Sequence, residues 1–406
     1  MFFDKKLSSK VIYSLKSNLA NFRVIIQCST LLDKAESKLI RYKCKVFYKI
    51  ESLNCICALV TPFALKRLIE FPFVKYVDTD SYAFITQTLH SQNESATDLP
   101  RYVKSSGNNI GIGIVSTGIY PHANLKVPKD KIRLSLDLIN GFETPYDDNG
   151  HGTFLAGLIS SKPRPTGYTF SGIAPDSYVC SVKAFDVTGK GFVSASLLAL
   201  DTLISLQDSL KVRIILLPFE VYDNNGFILN LFSKLFNKAT EKNIIIIVPS
   251  GNNGNIQGSL IGISTLKNCL TIGGLDSSSM VSKIYNLSSA AIDNKSGKPD
   301  FILPCTNIKS TNSNIFFIPE IDGNKIFPRP LDMPYTLMNG TCLCAAYACG
   351  LCAIILEKFP ELSFNDIYTL FKHASHLIDS PKYLQGNGYV DSKELFSNVF
   401  LPKNDD

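Results

Sequence analysis

From residue 110 onward the chain alternates short apolar runs with longer amphipathic segments, and this limits the possible folds more than any other feature. Ile110 to Val115, Tyr178 to Ala184, Ile214 to Leu217 and Ile244 to Val248 are almost continuously apolar. Runs of that length without polar alternation read as strands buried on both faces. Gly152 to Ile159 reads as a helix start, and Ser194 to Leu206 and Leu229 to Thr240 read as helices. Strands alternating with helices predict an α/β domain over residues 110–400, with a central parallel sheet flanked by helices.

The first part of the chain follows another pattern. Phe22 to Ile26 reads as a strand, and Leu31 to Tyr42 carries Leu31, Leu32, Ala35, Leu39 and Ile40 at helical spacing. Val46 to Ile50 and Cys55 to Val60 are strands, Thr61-Pro62 opens a helix, and Phe73 to Val77 is a last strand. The order β-α-β-β-α-β is that of a small ferredoxin-like α+β unit, assigned to residues 1–90. Residues 91–109 are polar and read as a linker, and residues 306–335 read as irregular loops or an insertion.

Composition excludes several function classes. The net charge of +6 comes from 41 basic and 35 acidic residues, without a Lys/Arg-rich run, so nucleic acid is not an expected partner. No unbroken apolar run reaches the roughly 20 residues of a bilayer span, so no membrane association is expected. The cysteines number eleven, an odd count that does not suit a small disulfide framework. Met1 to Leu15 is interrupted by Asp4, Lys5, Lys6 and Lys10, unlike a signal peptide. The expectation is a reduced, cytoplasmic protein whose thiols are small buried hydrophobes. Cys349-Gly350-Leu351-Cys352 has zinc-like spacing, but it lies inside an apolar helical segment without a second ligand pair, so no metal is expected there.

Four segments fall at strand–helix junctions, where a parallel sheet presents residues to a ligand. They are Gly113-Ile114-Val115-Ser116-Thr117-Gly118, Asp148-Asn149-Gly150-His151-Gly152-Thr153, Val248-Pro249-Ser250-Gly251-Asn252-Asn253-Gly254 and Asn339-Gly340-Thr341-Cys342-Leu343-Cys344. Singly each is weak. In this order and spacing, from about Asn108 to Val390, they resemble the acid, histidine, oxyanion and nucleophile blocks of the subtilisin family of serine proteases (peptidase S8), with the intracellular bacterial subtilases nearest in flavour. The resemblance implies a subtilisin-like fold and makes the first unit similar to the family's propeptide, an intramolecular chaperone and inhibitor.

The resemblance also implies a role for each matching residue. Ser116 takes the place of the acid that orients and charges the catalytic histidine; a hydroxyl can bond the ring but brings no negative charge. His151 takes the place of the base, and Asn252 that of the oxyanion donor, with a turn asparagine as the plainer reading. Cys342 takes the place of the nucleophilic serine. A helix N-terminus lowers a thiol's pKa and would favour a Cys–His couple, whereas the neighbouring Cys344, Cys349 and Cys352 suggest one more apolar filler. Pro218, Phe219 and Glu220 take the place of the substrate-pairing strand, where Pro218 lacks an N–H and Glu220 replaces a glycine. Ser250 and Gly251 complete the substrate-binding set. Asp147 and Asp148, beside the histidine loop, read as structural. No cofactor is expected; calcium, frequent in the family, stays open because no full set of oxygen ligands can be matched.

The reading that follows is a subtilisin-family pseudoprotease, with substituted catalytic acid and serine, that acts by binding or regulating a peptide or protein partner, possibly another protease. The alternatives are a slow cysteine-type endopeptidase using Cys342 and His151, and a purely structural partner protein. Oligomeric state is not legible.

Overall fold

The computed structural model describes residues 4–400, apart from 18, 87, 92–95, 98, 100–102, 164–169, 223–225 and 278–281. The apolar runs assemble into one central sheet. Its neighbouring strands are Ile132–Asp137, Tyr178–Lys183, Gly111–Ser116, Val212–Leu216, Ile245–Pro249, Leu270–Asp276, Phe301–Pro304 and Tyr389–Val390, each parallel to the next. Ser375–His376 closes one edge antiparallel. Alternation along each strand feeds two cores. Ile112, Ile114, Ile214, Leu216, Ile245 and Ile247 face a layer built on the helices His151–Ser160 and Thr341–Lys358. Val115, Ile215, Leu217, Ile246 and Val248 face a layer built on Val193–Ser205 and Gly226–Glu241. Thr341–Lys358 is apolar and long enough to cross a membrane by composition, yet it is buried from Thr341 to Leu356 as the core helix of this layer.

The N-terminal unit is a four-stranded antiparallel sheet in the order Lys45–Ile50, Cys55–Val60, Phe22–Cys28, Val74–Thr79, the strand order of a ferredoxin-like fold. Thr61 caps the helix Pro62–Leu68 by accepting from the Ala64 N–H at 3.1 Å. The helix Leu32–Arg41 buries a narrower face than its spacing implied: Ala35 and Leu39 are buried, while Leu31 and Ile40 are exposed. A further helix, Ser9–Lys16, packs ahead of the sheet through Val11 and has its own cap at Ser8.

Two segments differ from the sequence reading. Residues 306–335 are not all irregular: Ile308–Thr311 is a strand that pairs antiparallel with Tyr335–Asn339, and a small hairpin, Glu320–Ile321 with Asn324–Lys325, lies between them. Tyr82–Ile85, following the last ferredoxin-like strand, leaves the N-terminal sheet. It enters a separate three-stranded sheet between Lys190–Phe192 and Phe219–Val221.

One residue ties the two units together. Asp80, almost wholly buried, accepts from the Ser194 N–H at 2.9 Å and the Ser194 hydroxyl at 2.6 Å, so the N-terminal unit caps a helix of the larger one. The same carboxylate takes the Arg23 guanidinium at 2.5 Å, and that guanidinium lies between the rings of Phe47 and Phe192. Asp80→Ala leaves the Arg23 charge without its partner and a helix end uncapped. It should lower the unfolding free energy in urea by about 3 kcal/mol; a loss below about 1 kcal/mol would show that the cap is dispensable.

Candidate functional site

The sheet brings the four sequence blocks together. Ser116 ends the strand Gly111–Ser116, His151 begins the helix His151–Ser160, Asn252 follows the strand Ile245–Pro249, and Cys342 is the second residue of the helix Thr341–Lys358. Close approach requires glycine in the histidine helix: a Cβ on Gly152 would fall on the carbonyl of Gly118.

Ser116 Oγ and His151 Nδ1 are 2.8 Å apart in a buried hydrogen bond. The imidazole is therefore oriented by a neutral hydroxyl. The nearby carboxylates are engaged elsewhere. Asp147 accepts from Thr117 Oγ1, the N–H groups of Asn149, Gly150 and Thr153, and Thr153 Oγ1, so it holds the loop that starts the helix. Asp148 pairs at 2.6 Å with the buried Lys183 ammonium, which also donates to the carbonyls of Thr117 and Phe185. Both acids are structural, as their place beside the loop suggested.

On the far side of the ring, His151 Nε2 is buried and makes no hydrogen bond. Burial pushes the imidazole pKa down to about 4, opposed by the charge of Asp147 and by the Thr86 carbonyl that lies against the ring. The Cys342 thiol is likewise fully buried and is not hydrogen-bonded to Nε2. Burial pushes its pKa up, aided by the charge of Glu220 and opposed by the N–H groups of Cys342 and Leu343 at the helix start. The helix start does favour the thiolate through these two donors, but desolvation outweighs them. Asn252 is held by its amide oxygen, which accepts from Thr341 Oγ1 at 2.9 Å and Thr341 N–H at 3.3 Å.

The pairing strand is also corrected. Pro218 does not impair it, because the strand uses its carbonyl: the Thr86 N–H donates to Pro218 O at 2.9 Å. Phe219, Glu220 and Val221 then pair with Ile85, Phe84 and Ala83. On the other side the Ile85 N–H donates to the Gly189 carbonyl at 2.9 Å, next to the strand Lys190–Phe192. Beyond the catalytic positions Leu89–His90 pairs with Asn339 and Met338, just before Cys342. Residues 82–86 and 89–90 therefore lie along the groove on both sides of His151 and Cys342. The sequence reading placed these residues at the end of the first unit. The signal for them is the short apolar run Tyr82-Ala83-Phe84-Ile85, one strand more than a β-α-β-β-α-β pattern can use.

Of the remaining candidates, Ser250 is turned inward, 3.1 Å from Ser288 Oγ, and Gly251 abuts the Glu220 carboxylate. Cys349 and Cys352 are buried in the core helix, and among the described residues no group of His, Cys, Asp or Glu is arranged to hold a metal ion. A cavity of about 440 Å³ lies elsewhere, between residues 120–126, 144–145 and 325–331, and none of the four catalytic positions lines it.

With fold and geometry in hand, comparison with known proteins decides the family. The model of the subtilase family, peptidase S8, matches residues 107–390. The chain belongs to the subtilase family. It is similar to the serine protease AprX of Bacillus subtilis (strain 168), 25% identical over 367 residues that cover 86% of this chain and 80% of the relative. It is also similar to an alkaline protease of Alkalihalobacillus alcalophilus, 22% identical, covering 86% and 81%. Among solved structures, fervidolysin from Fervidobacterium pennivorans, a keratinolytic enzyme related to subtilisin, superposes with a TM-score of 0.69 at 15% identity. That match covers 94% of this chain and 62% of fervidolysin, and it shows the same fold.

The His151 environment predicts an acid sensitivity. The folded ring resists protonation down to about 4, whereas the unfolded ring takes a proton near 6.5. Stability from this group is present above 6.5 and is lost as pH falls from 6.5 to 4, by about 3 kcal/mol in all. His151→Gln should flatten that part of the stability–pH curve, measured by denaturant unfolding; an unchanged acid slope would place the proton uptake elsewhere.

Proposed function

We propose that this subtilase is a pseudoprotease, built to hold an extended segment rather than to cut one. The observation that carries this is the pair at its centre: a fully buried Cys342 thiol, pushed toward its protonated form by burial, and a His151 ring whose Nδ1 meets a hydroxyl and whose Nε2 has no hydrogen bond to the thiol. Acyl transfer needs a nucleophile bonded to its base and a base whose positive charge is stabilised as it forms. Here the nucleophile–base bond is absent, and the group behind the base supplies no charge. The N-terminal unit acts as the propeptide does in the family, remains attached, and lays residues 82–86 and 89–90 along the groove. A peptide or protein partner, such as another protease, acts on the chain by competing for that groove.

One observation favours the second reading, a slow cysteine-type endopeptidase. The segment pairs the Thr86 N–H with Pro218 and brings the Thr86 backbone beside His151, so a peptide bond lies near the catalytic positions. The two readings differ in what happens to the next peptide bond. Purified protein incubated for days should remain a single species of 44.8 kDa by intact mass spectrometry. A spontaneous cut after Thr86 that disappears in Cys342→Ala would establish the endopeptidase instead.

A further inference from the structure

Glu220 is a buried carboxylate that neither catalysis nor strand pairing requires. It sits on the pairing strand, 4% exposed, and its side chain crosses to the facing loop. There Oε1 accepts from Asn253 Nδ2 at 2.6 Å, the Asn252 N–H bonds the carboxylate, and Tyr222 OH reaches Oε2 at 3.4 Å. Gly251, at φ +102°, makes room for it: a Cβ there would fall on Oε1 and come within 2.9 Å of Ser289 Oγ. The carboxylate thus bridges the two walls between which the groove runs, strand 219–221 and loop 250–253.

Register decides what this does to the occupant. Phe219 faces Ile85 and Glu220 faces Phe84, and the Thr86 N–H bonds Pro218. Directly opposed residues share a face, and side chains alternate along a strand. Thr86, Phe84, Pro218 and Glu220 therefore lie on one face, with Glu220 the diagonal neighbour of Thr86, within reach of a long side chain. Thr86 is fully buried, and its hydroxyl has no hydrogen-bond partner. The residue presented at the catalytic position is small and enclosed, and the long side chain on its face is the one that closes the walls.

We infer that Glu220 plugs the pocket for the side chain at position 86, so that this groove accepts an extended segment only where that residue is small: Gly, Ala, Ser or Thr. The inference rests on the reading of the groove as a peptide-holding site. It names the partner chemistry: a strand with apolar residues at the positions of Ala83 and Ile85, and a small residue where Thr86 stands.

The test uses the full chain and hydrogen–deuterium exchange of the peptide spanning residues 82–90, with circular dichroism melts to verify folding. Wild type, Thr86→Ser and Thr86→Ala should be protected alike. Thr86→Phe should exchange about tenfold faster or more, since the segment then opens locally. Combining Thr86→Phe with Glu220→Ala should restore protection, because the plug is gone. Protection of Thr86→Phe at the wild-type level would overturn the inference. So would loss of protection that Glu220→Ala fails to repair, which would assign the restriction to another wall. An unprotected segment in the wild type would instead overturn the underlying reading of an occupied groove.

Discussion

The hydrogen bond between Ser116 Oγ and His151 Nδ1 sets the character of this molecule. It orients the ring through Nδ1, but a hydroxyl offers an imidazolium no compensating charge. In a buried site this difference is amplified, because the ring must carry any positive charge without water. Burial therefore favours the neutral ring, and an imidazolium formed at this position would lack a carboxylate bonded to its Nδ1. The Asp147 charge nearby opposes this only in part, and its oxygens bond the loop that starts the histidine helix rather than the ring.

The same desolvation governs the other members of the site. Cys342 lies at a helix start, where two N–H groups favour a thiolate, yet burial and the Glu220 charge oppose it more strongly. Glu220 is itself retained in the interior only because Asn253, Tyr222 and the Asn252 backbone supply donors. Along the groove the backbone of residues 82–86 and 89–90 is paired, while His151 Nε2 and the Thr86 hydroxyl stay without a hydrogen-bond partner. The strands beside the site are paired, while His151 Nε2 and the Cys342 thiol are not hydrogen-bonded to each other. Asp80 adds to this by capping a helix of the larger unit from within the N-terminal one, so the two units share hydrogen bonds that a detached propeptide would forfeit.

Much of this was legible in the residues. Continuous apolar strands fixed the parallel sheet, because strands such as Gly111–Ser116 and Ile245–Pro249 are buried along their whole length. The four junction blocks converge because each follows a sheet strand or begins a helix on one layer. What escaped was whatever depended on partners distant in sequence. Pro218 looked like a defect when only its missing N–H was considered; the strand in fact uses its carbonyl. Residues 306–335 looked irregular because the strand Ile308–Thr311 is short and its partner lies more than twenty residues away. Tyr82–Ile85 gave no sign of its destination, since both of its neighbours, Lys190–Phe192 and Phe219–Val221, come more than a hundred residues later. For Cys342 the sequence offered two opposed signals, a helix start and a run of apolar neighbours, and only the burial depth weighs one against the other.

The central claim is that Cys342 has no thiolate at neutral pH. Site-resolved alkylation kinetics measure this directly: the chain is exposed to iodoacetamide across a pH series, and each modified cysteine is quantified by peptide mass spectrometry. The account predicts that Cys342 reacts as slowly as the buried Cys344, Cys349 and Cys352, more slowly than the half-buried Cys44, with no rate plateau near neutral pH. A Cys342 rate that exceeds that of Cys44 and levels off between about pH 6 and 8 would reveal a thiolate–imidazolium pair and contradict it.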